Sequence, residues 1–139
     1  MNVDGVKTGI VLDHISAGKG MYIYELLDLE KLSCSVAVLQ NVSSTKYGKK
    51  DIIKIDEMID LDMDKLGYID PNITINIVES GKLKKKTHLE LPETLVDVIE
   101  CKNPRCITTT EQEIVHKFRL ADREKHVYRC IYCDAEYKE

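Results

Sequence analysis

The sequence predicts an α+β protein: an antiparallel sheet with two helices on one face, then a small β domain of different construction. Three observations predict it. Short segments with apolar residues at every second position recur through the first ninety residues, as half-buried strands require. Two stretches with apolar residues near helical spacing separate them. Four of the five cysteines stand in two tight pairs in the last third of the 139-residue chain.

The elements follow in order. "TGIVLDHI" reads as a strand. "GKGMYIYELLDLEKL" reads as a helix, with Met21, Tyr24, Leu27 and Leu32 near helical spacing beside Ile23 and Leu26. "SCSVAVLQNV" is a second strand, and "SSTKYGKK" supplies turn chemistry before a third, "DIIKID". "DLDMDKLGYID" opens with acidic residues suited to a helix N-terminus and stops at Pro71. "NITINIV" is a strand of clear period two, and "ESGK" turns the chain into "LKKKTHLEL". The order β-α-β-β-α-β with one further strand is that of a ferredoxin-like sheet. Ile10, Leu12, Ile53, Ile55, Ile73 and Ile75 are its expected core. Pro92 in "ELPETLVDVIE" marks the expected boundary: a first domain over 1–92, a linker over 93–100 and a second domain over 101–139.

Strand period also assigns faces. Thr74, Asn76 and Val78 point away from Ile73, Ile75 and Ile77, and Lys50, Ile52 and Lys54 away from Ile53 and Ile55. Lys50 and Lys54 are then about 13 Å apart, too far to grip one phosphate but suited to different parts of one nucleotide. The same period puts Lys82, Lys84 and Lys86 on one face. On the residues alone, a solvated, lysine-guarded strand edge is the favoured explanation of all these lysines.

"CKNPRC" spans Cys101 to Cys106, and "CIYC" spans Cys130 to Cys133, 23 residues further on. Two disulfides, a redox centre and a metal site are the alternatives. The opening "MNVDGVKTG" carries no secretory signal, which makes a reducing cytoplasm the expected compartment and disulfides poor candidates. A redox motif wants one C-x-x-C between a strand and a helix, whereas "YRCIYCDAEYK" reads as strand-turn-strand. Zinc wants four soft ligands at tetrahedral angles, and short knuckles deliver two thiolates each. Four thiolates leave no open position, so one structural Zn2+ held by Cys101, Cys106, Cys130 and Cys133 is expected. Fewer than 40 residues cannot bury enough apolar surface alone, and zinc supplies the missing free energy. The segment is read as a zinc ribbon with a turn near "ADREK".

Charge limits the partners. Residues 101–139 hold eight Lys/Arg against seven Asp/Glu, and residues 1–100 hold 12 against 17. Neither part has the basic excess of a phosphate-tracking surface, so a nucleic-acid-binding zinc ribbon is the weaker alternative to a protein partner. No stretch approaches the roughly 20 apolar residues that span a bilayer, so no membrane partner is expected. Asp13 beside His14 is an acid-base couple in principle, but adjacent strand residues face oppositely and no nucleophile elbow or phosphate loop accompanies them.

"GIVLDHI", "GKKDIIKI", "INIVESGKLKKK" ahead of "LPE", and the C-x4-C and C-x2-C knuckles together resemble the regulatory chain of aspartate carbamoyltransferase over nearly the whole length. The resemblance implies a non-catalytic subunit in pyrimidine biosynthesis. Its first domain would bind nucleoside triphosphates (CTP, ATP, UTP) as allosteric effectors and pair with a second regulatory chain. Its zinc domain would dock onto the catalytic chain. Matched by motif, the implied effector positions are Val3, Asp4, Val6, Val11, Asp13, His14, Lys50, Lys54, Asn76, Val78, Gly81, Leu83 and Lys86. Lys86 would meet phosphate, Lys54 and Asp13 ribose or base, with Lys50, Asn76 and His14 completing the pocket. Gly81 stands where the family often has an aromatic residue.

Overall fold

The computed structural model describes residues 6–46 and 48–138. By its internal contacts the chain divides into two units, Met1–Glu90 and Leu91–Glu139.

The first unit runs β1 (Gly9–Ser16), α1 (Gly20–Leu26), a 3-10 turn (Leu29–Lys31), β2 (Val36–Ser44), β3 (Gly48–Ile55), α2 (Met63–Ile69), β4 (Thr74–Glu79) and β5 (Lys82–His88). The five strands form one antiparallel sheet in the order β2-β3-β1-β4-β5. Ile10, Leu12, Ile53, Ile55, Ile73 and Ile75 face one side and pack with Ile23, Leu29 and Leu66 into the main core. Both helices therefore cover one face, as the alternation in the strands requires. Asp62 caps α2, its Oδ1 accepting from the Lys65 amide at 3.0 Å. The first helix is shorter than the sequence predicts: α1 ends at Leu26, and the 3-10 turn carries Leu29 into the core while Met21 stays 42 % exposed.

Three irregularities reset which side chains face together. Pairing of β1 with β3 slips between Leu12 and Ile15, where His14 takes φ 58°. Pairing of β2 with β3 slips between Leu39 and Val42, with Asn41 at φ 58°. Buried Asp51 fastens this region, accepting from the amides of Asn41, Gly18 and Gly20 at 3.0, 3.1 and 2.9 Å. The third slip lies between β4 and β5: Ile77 faces Lys85, but Val78 faces Leu83. A β-bulge inverts strand parity beyond it. Lys82, Lys84 and Lys86 consequently do not share one face, contrary to the period-two reading. Ser80 and Gly81, both with positive φ, close the β4-β5 hairpin between the paired Glu79 and Lys82.

The second unit runs β6 (Thr94–Val96), α3 (Ile107–Thr110), β7 (Lys117–Asp122) and β8 (Val127–Cys130), with the strands antiparallel in the order β6-β7-β8. Residues 93–100 are therefore not simply a linker. Leu95 pairs with Phe118 and is fully buried, so apolar burial draws this segment into the second sheet. Leu91, Ile99 and Tyr128 are buried in the same unit, and the Tyr128 hydroxyl donates to the Pro92 carbonyl at 2.5 Å. Among the apolar residues between 101 and 139, Phe118 is buried, while Ile107, Val115 and Ile131 are 49 %, 40 % and 46 % exposed. The β-branched run after Cys106 forms a helical turn rather than a strand.

Candidate effector site and metal centre

The sheet face opposite the helices carries the first candidate site. Register alone aligns a row across all five strands: Ala37 faces Lys54, Lys54 faces Val11, Val11 faces Asn76, and Asn76 faces Lys86. Val6, Val11, Ile52 and Val78 form a small buried apolar floor on this face, with Val42 against it. Sheet faces in antiparallel folds are commonly solvated. Here two apolar residues, Ala37 and Val11, share one row with Lys54, Asn76 and Lys86 instead.

Asp13, two residues along β1 from Val11 of this row, is completely buried. Its Oδ1 accepts from Lys50 Nζ at 2.9 Å and from the His14 amide at 2.7 Å. Burial works against ionisation, but these two donors and the neighbouring positive charges hold the carboxyl below the usual carboxylate range. Asp13 Oδ2 has no hydrogen-bond partner among the described residues, and neither has Asn76 Oδ1, although Asn76 Nδ2 donates to the Val11 carbonyl at 3.2 Å. Buried acceptors without donors are costly and uncommon, so both atoms are suited to meet a ligand's hydroxyl or amino hydrogens.

His14 lies on the rim. The bulge turns it into the same cleft as Asp13, contrary to the expectation that the two face oppositely. Its Nδ1 lies 3.1 Å from Thr74 Oγ1, and burial together with Lys50, Lys86 and Lys46 outweighs Asp13 to favour the neutral ring. Asp13, His14, Lys50 and Lys86 line a cleft of about 320 Å3 together with Ser43, Ser44, Thr45 and Lys46. The sequence reading took "SSTK" only as turn chemistry and missed its place in the cleft. Its hydroxyls and ammonium were the available signal.

The remaining expected positions divide. Lys54 and Val6 line a neighbouring cleft of about 240 Å3 with Ala37 and Asp56. Leu83, paired with Val78, is 48 % exposed. The Gly81 amide donates to the Lys7 carbonyl at 2.7 Å, so that N–H is already engaged. Val3 and Asp4 lie outside the described residues.

The second candidate site is a metal centre. The four sulfurs of Cys101, Cys106, Cys130 and Cys133 lie within 4.8 Å of one another, with Cys101–Cys133 and Cys106–Cys130 both at 3.7 Å. Sulfurs 2.3 Å from a tetrahedral ion stand about 3.8 Å apart, so the cluster has the size and donor set of a zinc site. All four cysteines are free thiols, and the sequence expectation of a metal rather than two disulfides agrees with these separations. Cys106 immediately precedes α3 as its N-cap, while Cys130 ends β8 and its amide donates to the Ala135 carbonyl at 3.0 Å, so both knuckles adjoin regular backbone. The Thr108 hydroxyl donates to Cys106 Sγ at 3.0 Å. Burial pushes the Cys101 thiol up to about 12. At Cys133 hydrogen bonds with Asn103, the Ala135 backbone and the neighbouring thiols outweigh burial and lower the thiol to about 7. A cation resolves this competition by deprotonating all four. His116 and His126 are not part of the cluster.

No helix of the described residues is long and apolar enough to cross a membrane.

Comparison with known proteins places both units. Residues 1–90 match the family model described as aspartate carbamoyltransferase regulatory chain, allosteric domain, and residues 93–139 match that of the metal binding domain of the same chain. A protein of Clostridium tetani named aspartate carbamoyltransferase regulatory chain is 53 % identical over 139 residues, covering 99 % of this chain and 96 % of its own. A protein of the same name from Clostridium botulinum is 49 % identical over 137 residues, covering 99 % and 94 %. One from Bifidobacterium longum is 41 % identical over 138 residues, covering 99 % of both chains. Across both its units, the chain belongs to the aspartate carbamoyltransferase regulatory chain family.

Proposed function

We propose that this chain is the non-catalytic allosteric subunit of an aspartate carbamoyltransferase, and that it binds nucleoside triphosphates on the open sheet face of its first unit. The observation that carries the reading is the pair of unpartnered buried acceptors, Asp13 Oδ2 and Asn76 Oδ1, on a face that also presents Lys50, Lys54 and Lys86. The acceptors lack hydrogen donors, and a face this rich in ammoniums suits an anion. A sugar and base bearing phosphates offers both in one molecule. Lys86, Lys50 and Lys46 take the phosphates, and Asp13 and Asn76 accept from ribose hydroxyls or a base amino group. CTP, ATP and UTP are the effectors expected.

The second unit, closed by zinc, docks onto the catalytic chain, while the first pairs with a second regulatory chain. Regulation then requires each nucleotide to bind two states of the assembly with different affinity, a coupling of order 1–3 kcal/mol. A nucleic-acid-binding zinc ribbon finds no support in charge, since residues 101–139 hold eight basic and seven acidic residues.

Calorimetric titration with CTP and ATP tests the reading. Saturable binding by the intact chain, weakened ten-fold or more by Lys86→Ala and by Asp13→Asn, is the expected result. Absence of binding, or binding indifferent to both substitutions, overturns it.

A further inference from the structure

One hydroxyl stands between two histidines. Thr74 is buried in β4, its Oγ1 3.1 Å from His14 Nδ1 and 3.4 Å from His88 Nδ1. His14 lies in the proposed effector cleft, whereas His88 ends β5, exposed, at the last paired position before the chain leaves the first unit. The two rings are 74 residues apart in sequence and reach each other only because Thr74 pairs with both Asp13 and His88 across the sheet.

A hydroxyl has one hydrogen. It donates to one of the two ring nitrogens at most, so the other must approach as an N–H donor. The protonation of one ring therefore constrains that of the other. Resting on the effector-site reading above, we propose that Thr74 is a positioning residue that couples the proton occupancy of His14 to the tautomer of His88, so that an anionic ligand in the cleft is registered at the end of β5.

The step balances simply. In the neutral His14 ring, Nδ1 accepts the Thr74 hydroxyl hydrogen while His88 Nδ1–H donates to Thr74 Oγ1. Phosphate placed beside His14 favours its imidazolium, and one proton enters from solvent. Nδ1 then donates to Thr74, whose hydrogen swings to His88 Nδ1. His88 loses to water the proton its own Nδ1 had carried and takes one from water at Nε2, so the ring changes tautomer only and Nδ1 becomes the acceptor of the Thr74 hydroxyl. The groups facing His14 set where this occurs: Asp13 from its own strand favours the imidazolium, and Lys50 of β3, Lys86 of β5 and Lys46 of the β2-β3 turn oppose it. A polyanion that neutralises those three ammoniums tips the balance.

Nitrogen NMR of the histidine rings in the intact chain tests the coupling in two arms. In the first, without nucleotide, pH is lowered through the His14 titration. His88 Nδ1 is expected to move from the range of a protonated ring nitrogen to that of an unprotonated one at the same midpoint. Thr74→Val should uncouple the two and Thr74→Ser should preserve them, while His116 and His126 serve as internal references. In the second, CTP is added at fixed pH, with binding followed by calorimetry. His88 should shift on saturation in the wild-type chain and not in Thr74→Val or His14→Gln. Independent titration of the two rings in the first arm, or equal coupling in Thr74→Val, overturns the relay whatever CTP does. Coupling in the first arm with no CTP binding in the second leaves the relay standing and sinks the effector reading instead.

Discussion

Lys50 and Asp13 meet at 2.9 Å on the open face of the sheet, although β1 and β3 slip in register between them. Strand period puts the two residues on adjacent strands without pairing them directly. The bulge at His14 lets the ammonium reach across, and the second carboxylate oxygen, Asp13 Oδ2, has no hydrogen-bond partner among the described residues.

This pair gives a pH prediction. The Asp13 carboxyl lies below its ordinary value of 3.8, because Lys50 and the His14 amide outweigh burial. The folded chain therefore binds that proton less readily than the unfolded chain does. The pair's contribution is complete above about pH 4 and is lost as pH falls below it. Lys50→Met should destabilise the first unit by roughly 1.5–3 kcal/mol near neutral pH, leaving a buried carboxylate short of its donor. Urea melts between about pH 3 and pH 7 should show the difference shrinking at the acid end. A constant difference would contradict the assignment.

Zinc content should follow the cluster and not the fifth cysteine. Cys34 precedes β2 and packs against the main core of the first unit, remote in sequence from the knuckles. Metal analysis should find one zinc per chain in the wild type and in Cys34→Ser, and loss in Cys133→Ser. Equal loss in both variants would undo the site.

Thr108 should matter to the metal without touching it. Its hydroxyl donates to Cys106 Sγ at 3.0 Å and so stabilises a thiolate there. Outer partners of this kind are worth about 10–100-fold in metal affinity. Competition with a chelator should rank the wild type and Thr108→Ser together, with Thr108→Val weaker by about that factor.

Gly9 should be irreplaceable. A Cβ there would stand 2.0 Å from the Ile55 carbonyl oxygen and 2.8 Å from the Glu57 amide nitrogen, both backbone atoms. Gly9→Ala must push β1 off β3, at a cost of about 3 kcal/mol or more. Thermal melts should place it well below a Gly48→Ala control, whose position at φ 78° is strained but where an added Cβ meets no atom within 4 Å.

Much of this was legible in the sequence, for reasons that particular residues make plain. Ile73, Ile75, Ile53 and Ile55 alternate without interruption, so their faces followed from period two. The cysteine knuckles carry their own geometry. What escaped was whatever reverses parity. Lys84 is the extra residue between the pairs Ile77–Lys85 and Val78–Leu83, and nothing local in "LKKK" marks it. The bulge at His14 likewise shows only in the register of β1 against β3, with nothing in "LDHI" to mark it. Leu95 was read as linker because its partner, Phe118, lies across a gap that holds the first knuckle.

The most direct measurement of the central claim is carbamoyl-transfer velocity with the subunits apart and mixed. This chain alone should give no turnover, since it supplies regulation and not chemistry. Added to the catalytic subunit, it should co-elute with it and make the velocity respond to CTP and ATP. Lys86→Ala should co-elute equally well and lose the response, whereas Cys133→Ser should fail to co-elute. Turnover by the chain alone, or a nucleotide response that Lys86→Ala leaves intact, would contradict the account.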